Sequence, residues 1–89
     1  MNDSTMLEML KVDLGISIDA YDTRLAQYLT TAQRSIATEG VTIDRDSVED
    51  CTLVIMYAAW LWRKRDTGEG MPRMVRYELN NRLFSEKVD

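Results

Sequence analysis

The 89-residue chain has no histidine, one cysteine, one proline and four glycines. Without histidine, it lacks both the most frequent general base and the most frequent nitrogen ligand of metal ions. Its single cysteine, Cys51, cannot form a disulfide within the chain, which excludes a small scaffold held together by disulfides. So few glycines and prolines provide few turns, whereas Leu, Met, Ala, Glu and Arg are plentiful and favour helix. We therefore expect an all-α fold.

Length and hydropathy predict one domain, residues 1–89, with a single modest core. The longest apolar run, residues 53–62, is about half the length that a bilayer-spanning helix needs. No apolar segment follows a cationic start, so we expect no signal peptide. These features predict a soluble protein of the reducing cytosol that has no membrane partner.

The formal net charge of −4 is unevenly distributed along the chain. Residues 1–50 carry 4 basic and 10 acidic groups (4 − 10 = −6), and residues 51–89 carry 7 basic and 5 acidic groups (7 − 5 = +2). An acidic domain is a poor general binder of duplex DNA, because non-specific affinity comes mainly from neutralising phosphates. The uneven charge is either ordinary surface variation or a sign that unlike halves of neighbouring copies meet.

Hydrophobic periodicity predicts a small bundle of four helices with a long central apolar third helix. The predicted helices cover about residues 6–14, 20–38, 47–65 and 72–84. A third helix containing the apolar run 53–62 carries apolar side chains on every side and must be enclosed all round. Either the other three helices wrap it closely, or another copy or a partner covers part of it.

Polar residues before the predicted helices indicate where each one begins. Thr5 and Asp46 are each followed three residues later by glutamate, the spacing of a capping box. Asp19 is the predicted N-cap of the second helix, Gly15 is placed to end the first, and Pro72 suits the first turn of the fourth. Residues 85–89 are predicted to be a frayed tail.

No residue pattern typical of a catalytic or metal site is found in the sequence. The dense carboxylates of residues 44–50 lack the central glycine and alternate ligand spacing of a calcium loop, so helix capping explains them better. Cys51 has no histidine partner and falls on the apolar face of the third helix, where it is predicted to be a core residue. We therefore expect no enzymatic activity, no metal and no cofactor.

An interaction surface is the one functional feature that the sequence suggests. Trp60 and Trp62 are about 200° apart on a helical wheel, so one indole can fill the core while the other needs different cover. That cover is either the fourth helix or a partner, and tryptophan and arginine are both enriched at interface hot spots. The candidate subunit or partner interface consists of Trp60, Trp62, Arg63, Lys64, Arg65, Arg73, Arg76, Tyr77, Asn80, Asn81 and Arg82.

The same residues resemble those of a known family. Residues 57–65 (Tyr-Ala-Ala-Trp-Leu-Trp-Arg-Lys-Arg), a short glycine-containing loop and residues 71–84 (Met-Pro-Arg-Met-Val-Arg-Tyr-Glu-Leu-Asn-Asn-Arg-Leu-Phe) closely resemble the head-tail connector (adaptor) proteins of long-tailed bacteriophages and prophages. The resemblance continues toward the amino terminus, in Leu10-Lys11, Leu14-Gly15-Ile16, Asp22, Leu25, Ala32 and Ile36.

This resemblance implies a non-enzymatic virion protein that assembles into a ring, commonly twelve-fold, in the virion neck. The ring would lie beneath the portal protein of the DNA-filled head, extend the DNA channel and dock the next neck (stopper) protein. DNA would pass without specific binding, and assembly would take place in the bacterial host cytoplasm. Because phosphates are repelled by negative walls, we expect some carboxylates of residues 1–50 to line the channel.

Two other functions are compatible with the sequence. A small helical regulator or DNA-binding accessory protein would direct Arg63, Lys64, Arg65, Arg73 and Arg76 toward phosphates, and its affinity would fall steeply with salt. A free-standing helical interaction module is the third possibility.

Overall fold

The computed structural model describes residues 1–88, and the side chains through Glu86. It contains four helices: α1 (Asp3–Leu14), α2 (Asp22–Thr38), α3 (Val48–Thr67) and α4 (Arg73–Val88). No strand is present in this part of the chain. The prediction of a small all-α bundle of four helices is therefore confirmed.

Helix α3 is the longest of the four, and it packs against each of the other three. The other helices enclose most of its apolar run: Leu53, Val54 and Ile55 are buried, as are the three residues from Tyr57 to Ala59. The last three residues of the run, 60–62, are half-buried. Of the two alternatives for this run, the structure shows wrapping by the chain's own helices.

The helix ends differ from the prediction wherever a better placed polar group is available. Asn2, and not Thr5, caps α1: the Asn2 Oδ1 accepts a hydrogen bond from the Thr5 amide at 2.8 Å. Ser47, one residue after Asp46, caps α3 by accepting from the Asp50 amide at 3.2 Å. Helix α4 continues to Val88, so the predicted frayed tail at 85–88 is wrong, and Asp89 lies outside the described residues.

Helix α2 begins at Asp22 without a side-chain cap, because Asp19 has another partner. The Asp19 and Asp22 carboxylates each lie 2.9 Å from the Lys11 ammonium on α1. Hydrogen bonds to Asp22 and then Asp19 raise the pKa of Lys11 above its ordinary value. The predicted N-cap therefore connects α1 to the start of α2.

Three glycines, Gly15, Gly40 and Gly68, adopt backbone conformations with positive φ where the chain changes direction. Gly15 ends α1 with φ 70°, as predicted, and its amide donates to the carbonyls at the end of that helix. Gly40 follows α2 with φ 103°, and a Cβ built there would lie 3.2 Å from the Leu83 Cδ2 of α4. Only glycine fits this second position without strain, which lets α4 pack close to the α2–α3 connection.

Candidate interaction surface

The indole of Trp62 is covered by α2 and by Tyr21, the residue that precedes it. Its ring makes edge contacts with Tyr21 and Tyr28, at centroid separations of 5.4 and 5.9 Å. On the same ring lies the Arg65 guanidinium, 3.8 Å from the centroid. Such stacking is favourable without any partner molecule.

The indole of Trp60 lies on a different side of α3 and is also covered by its own chain. It packs at 5.4 Å against Tyr57, and its Nε1 donates a hydrogen bond to the Glu69 carbonyl at 3.1 Å. The Lys64 ammonium lies 4.5 Å from its centroid. The predicted divergence of the two indoles is thus observed, but the cover comes from α2 and from the 68–72 loop.

Two arginines of the predicted interface attach α4 to the rest of the domain. Arg76 Nη1 lies 2.7 Å from the Glu39 carboxylate at the end of α2, and this ion pair raises the pKa of Arg76. Arg82 pairs with Asp50, which is almost fully buried at the start of α3, and with Glu78 at 3.2 Å. These two side chains connect α4 to the end of α2 and to the start of α3.

Asp50 joins three segments of the chain. In addition to the pair with Arg82, its Oδ2 accepts a hydrogen bond from the Asp44 amide at 2.7 Å, so the carboxylate anchors the α2–α3 connection as well. Burial by itself raises the pKa of Asp50, but the bonds from Arg82 and from the Asp44 amide outweigh it, and the pKa lies below 3.8.

The remaining predicted residues of α4 lie on its solvent side, together with two that the prediction did not include. We call this set the α4 outer face; it consists of Arg73, Met74, Tyr77, Asn80, Asn81 and Phe84. At 100° per residue they fall within an arc of about 120°, roughly opposite the inner stripe of Val75, Leu79 and Leu83. All six are exposed, and Met74, Tyr77 and Phe84 retain 70%, 66% and 71% of their accessible surface.

Helix α1 carries a second, smaller exposed apolar area, which is not among the predicted interface residues. We call it the α1 outer face; it consists of Glu8, Met9, Val12 and Asp13, which line one open surface depression. Met9 and Val12 are 44% and 79% exposed. The signal that could have revealed both faces is that Met9, Val12, Met74 and Phe84 do not fit the buried periodicity of their helices.

The other surface features have local structural roles. Asp44 Oδ1 accepts from the Asp46 amide at 2.9 Å, a turn contact within the acidic segment before α3. Among residues 1–88 no group of three or more His, Cys, Asp or Glu side chains could hold a metal ion. Within the same range, no helix is long and apolar enough to cross a membrane.

A groove of about 570 Å³ between α1 and α2 has apolar walls from Met6, Leu7 and Leu29 and a polar rim that includes Arg34.

No family model, curated protein sequence or solved structure matches the chain. The functional interpretation therefore rests on its residues and on the geometry described above.

Proposed function

We propose that this protein is a non-enzymatic structural adaptor that assembles with copies of itself and joins the portal of a phage head to the next neck protein. The observation that carries the proposal is the α4 outer face, where three large apolar side chains on one helix remain 66–71% exposed. The resemblance to head-tail connectors suggests the form of the assembly, which is a ring in the virion neck, commonly twelve-fold. Assembly would occur in the bacterial host cytoplasm.

The size of this apolar face is consistent with assembly that requires a template. Withdrawing about two-thirds of a Met, a Tyr and a Phe side chain removes on the order of 400 Å² from water, or about 10 kcal/mol of gross stabilisation at 25 cal/mol per Å². The loss of translational and rotational freedom on association opposes this by roughly 4–15 kcal/mol. The net affinity of one such contact is therefore small, and a template such as a portal would promote ring formation.

Exposed carboxylates support a channel through which DNA passes without being held. Asp44, Asp46 and Glu49 lie together in the connection before α3 and at its first turn, all exposed. Such a cluster repels phosphate, and copies arranged in a ring would repeat it around the bore. We include these residues in the proposed channel lining.

The arrangement of the basic side chains supports a DNA-binding function less well. Of the five cations that this alternative requires, Lys64 and Arg65 lie over indoles and Arg76 is paired with Glu39. Arg63 and Arg73 alone have no ion-pair or cation–π partner among the described side chains. Two free cations release few counterions, so the steep salt dependence of a DNA binder is not expected.

The proposal is tested by sedimentation velocity over a wide concentration range, with and without the portal protein of the same phage or prophage. We expect concentration-dependent oligomers, portal-bound rings, or both, and we expect Met74→Asp on the α4 outer face to weaken them. Val48→Asp is the matched control, because Val48 is 64% exposed at the start of α3 and belongs to neither outer face. A wild-type protein that stays monomeric at every concentration and ignores the portal would contradict the proposal.

A parallel titration with duplex DNA tests the alternative function. We expect no useful affinity at about 50 mM salt, and therefore no loss of affinity between about 50 and 200 mM salt. Tight binding that weakens steeply over this range, and that Arg63→Glu and Arg73→Glu abolish, would favour the DNA-binding function instead.

A further inference from the structure

The α4 outer face offers positive charge and no free negative charge. Arg73 has no ion-pair partner among the described side chains, and Asn80 and Asn81 add exposed amide groups. The nearest carboxylate on the same helix, Glu78, lies 3.2 Å from the Arg82 Nε and is already paired. A partner surface that suits this face is apolar with a negative border.

The α1 outer face has the opposite character. Its Glu8 and Asp13 are exposed and form no ion pair with any described side chain. The one cation of α1, Lys11, is largely buried between Asp19 and Asp22, so no free positive charge is available here. Met9 and Val12 supply the apolar centre between these two carboxylates.

From these two surfaces we infer that the α4 outer face of one copy docks on the α1 outer face of the next copy. The inference rests on the proposed self-assembly and adds which surfaces meet. Met74, Tyr77 and Phe84 would cover Met9 and Val12, while Arg73 would meet Glu8 or Asp13. A contact between two different faces is head-to-tail, and it closes into a ring when the rotation between successive copies allows.

Contacts between like faces fit the charges less well. Two α4 outer faces would bring together arginines with no acidic partner, and two α1 outer faces would bring together four carboxylates with no cation. The mixed pairing alone places unlike free charges together, and like charges brought into contact disfavour the wrong register. Its apolar area, on the order of 600 Å² from the exposed fractions of the five apolar side chains, lies below the total of about 1,200 Å² at the low end for specific interfaces, which suits a weak contact repeated around a ring.

Disulfide trapping between two variants tests which faces meet. Val12→Cys and Tyr77→Cys place thiols at the centres of the two faces, and native Cys51 is fully buried and does not compete. The variants are mixed with one of them isotope-labelled, oxidised and analysed by mass spectrometry. We expect mixed Val12→Cys with Tyr77→Cys pairs in clear excess over like pairs, and over pairs formed with Val48→Cys, the matched control.

Charge reversal supplies a second measurement that does not depend on an introduced thiol. We expect Arg73→Glu to weaken self-association by about fivefold, the upper end for an exposed ion pair. Combining it with Glu8→Arg and Asp13→Arg in the same chain should recover most of that loss. Arg24→Glu, an exposed arginine on α2 outside both faces, should change the dissociation constant less than twofold.

The possible outcomes separate this inference from the function on which it rests. Mixed pairs together with charge-swap recovery would support the pairing of α4 with α1. Oligomers that trap mainly as Tyr77→Cys like pairs, or that form no mixed disulfide and ignore the charge reversals, would overturn the pairing while self-assembly stands. A protein that forms no oligomer, no trapped pair and no portal complex would overturn both.

Discussion

Replacing Asp50 by alanine tests most directly whether this carboxylate attaches α4 to the rest of the domain. Asp50 pairs with Arg82 of α4 and accepts a hydrogen bond from the Asp44 amide, so one substitution removes a contact to a helix and a contact to a connection. Its side chain is only 7% exposed, whereas that of Arg82 is 26% exposed. Arg82 can therefore regain some water after the change, and it keeps Glu78.

The expected loss of stability follows from these contacts. A hydrogen bond to a charged group contributes about 1.5–3 kcal/mol, and an amide left without an acceptor costs about 1–3 kcal/mol. Because Arg82 is partly rehydrated, we expect Asp50→Ala to lower the free energy of unfolding by about 3 kcal/mol, which corresponds to roughly 15 °C in Tm for a domain of this size. Asp50→Asn retains an acceptor for the Asp44 amide and should lose about half as much.

Urea and thermal unfolding followed by tryptophan fluorescence measure both variants. Asp66→Ala is the matched control, because Asp66 also pairs with an arginine but its side chain is 73% exposed. We expect that control to change stability by less than about 0.5 kcal/mol. Equal effects of Asp50→Ala and Asp66→Ala would refute the assignment of Asp50 as an anchor.

The pH dependence gives an independent check, because the pKa of Asp50 is lower in the folded protein than its ordinary value of 3.8. The stabilisation that the ionised Asp50 carboxylate provides is fully present above its unfolded-state pKa and is lost as the pH falls through its folded-state pKa. The stability difference between wild type and Asp50→Asn should thus be constant above about pH 5 and should shrink below pH 3.8. A difference that stays unchanged at low pH would show that the carboxylate charge is not responsible.

Three further predictions concern the packing. Gly40→Ala should destabilise the protein by about 1–3 kcal/mol, since φ is 103° and the new Cβ would contact Leu83, whereas Gly70→Ala, with open space, should be nearly neutral in the same unfolding assay. Cys51 should react with a thiol reagent only as fast as the domain opens; rapid labelling of the native protein would contradict its burial. Leu79→Ala should cost about 2–5 kcal/mol by urea unfolding, because Leu79 is fully buried.

The sequence was sufficient to predict the four helices, because the periodicity of buried residues follows directly from the helical repeat. It also placed Cys51 in the core, where the structure has it fully buried. The caps were harder to predict, because several polar residues precede each helix and tertiary contacts choose among them. Asp19 illustrates this: its carboxylate is drawn to Lys11, a residue of the previous helix.

The candidate interface could be predicted only in part. Trp60 and Trp62 suggested an interface because helix α3 alone cannot cover both indoles, yet Tyr28 of α2 and the Glu69 carbonyl provide that cover. Such contacts depend on how helices distant in the sequence pack, which no local pattern reveals. Conversely, Met74 and Phe84 lie outside the buried periodicity of α4, so the sequence does contain a signal of their exposure.

In helix α4, one set of residues attaches the helix to its own domain and a different set forms the exposed apolar surface. Val75, Leu79 and the ion-paired arginines attach it to its own domain, and none of them belongs to the exposed apolar set. Under the proposed assembly, substitutions at Met74, Tyr77 or Phe84 should therefore alter self-association without lowering the melting temperature. A mutational scan should then separate two phenotypes on this one helix, loss of self-association from changes on its outer side and loss of folding from changes on its inner side.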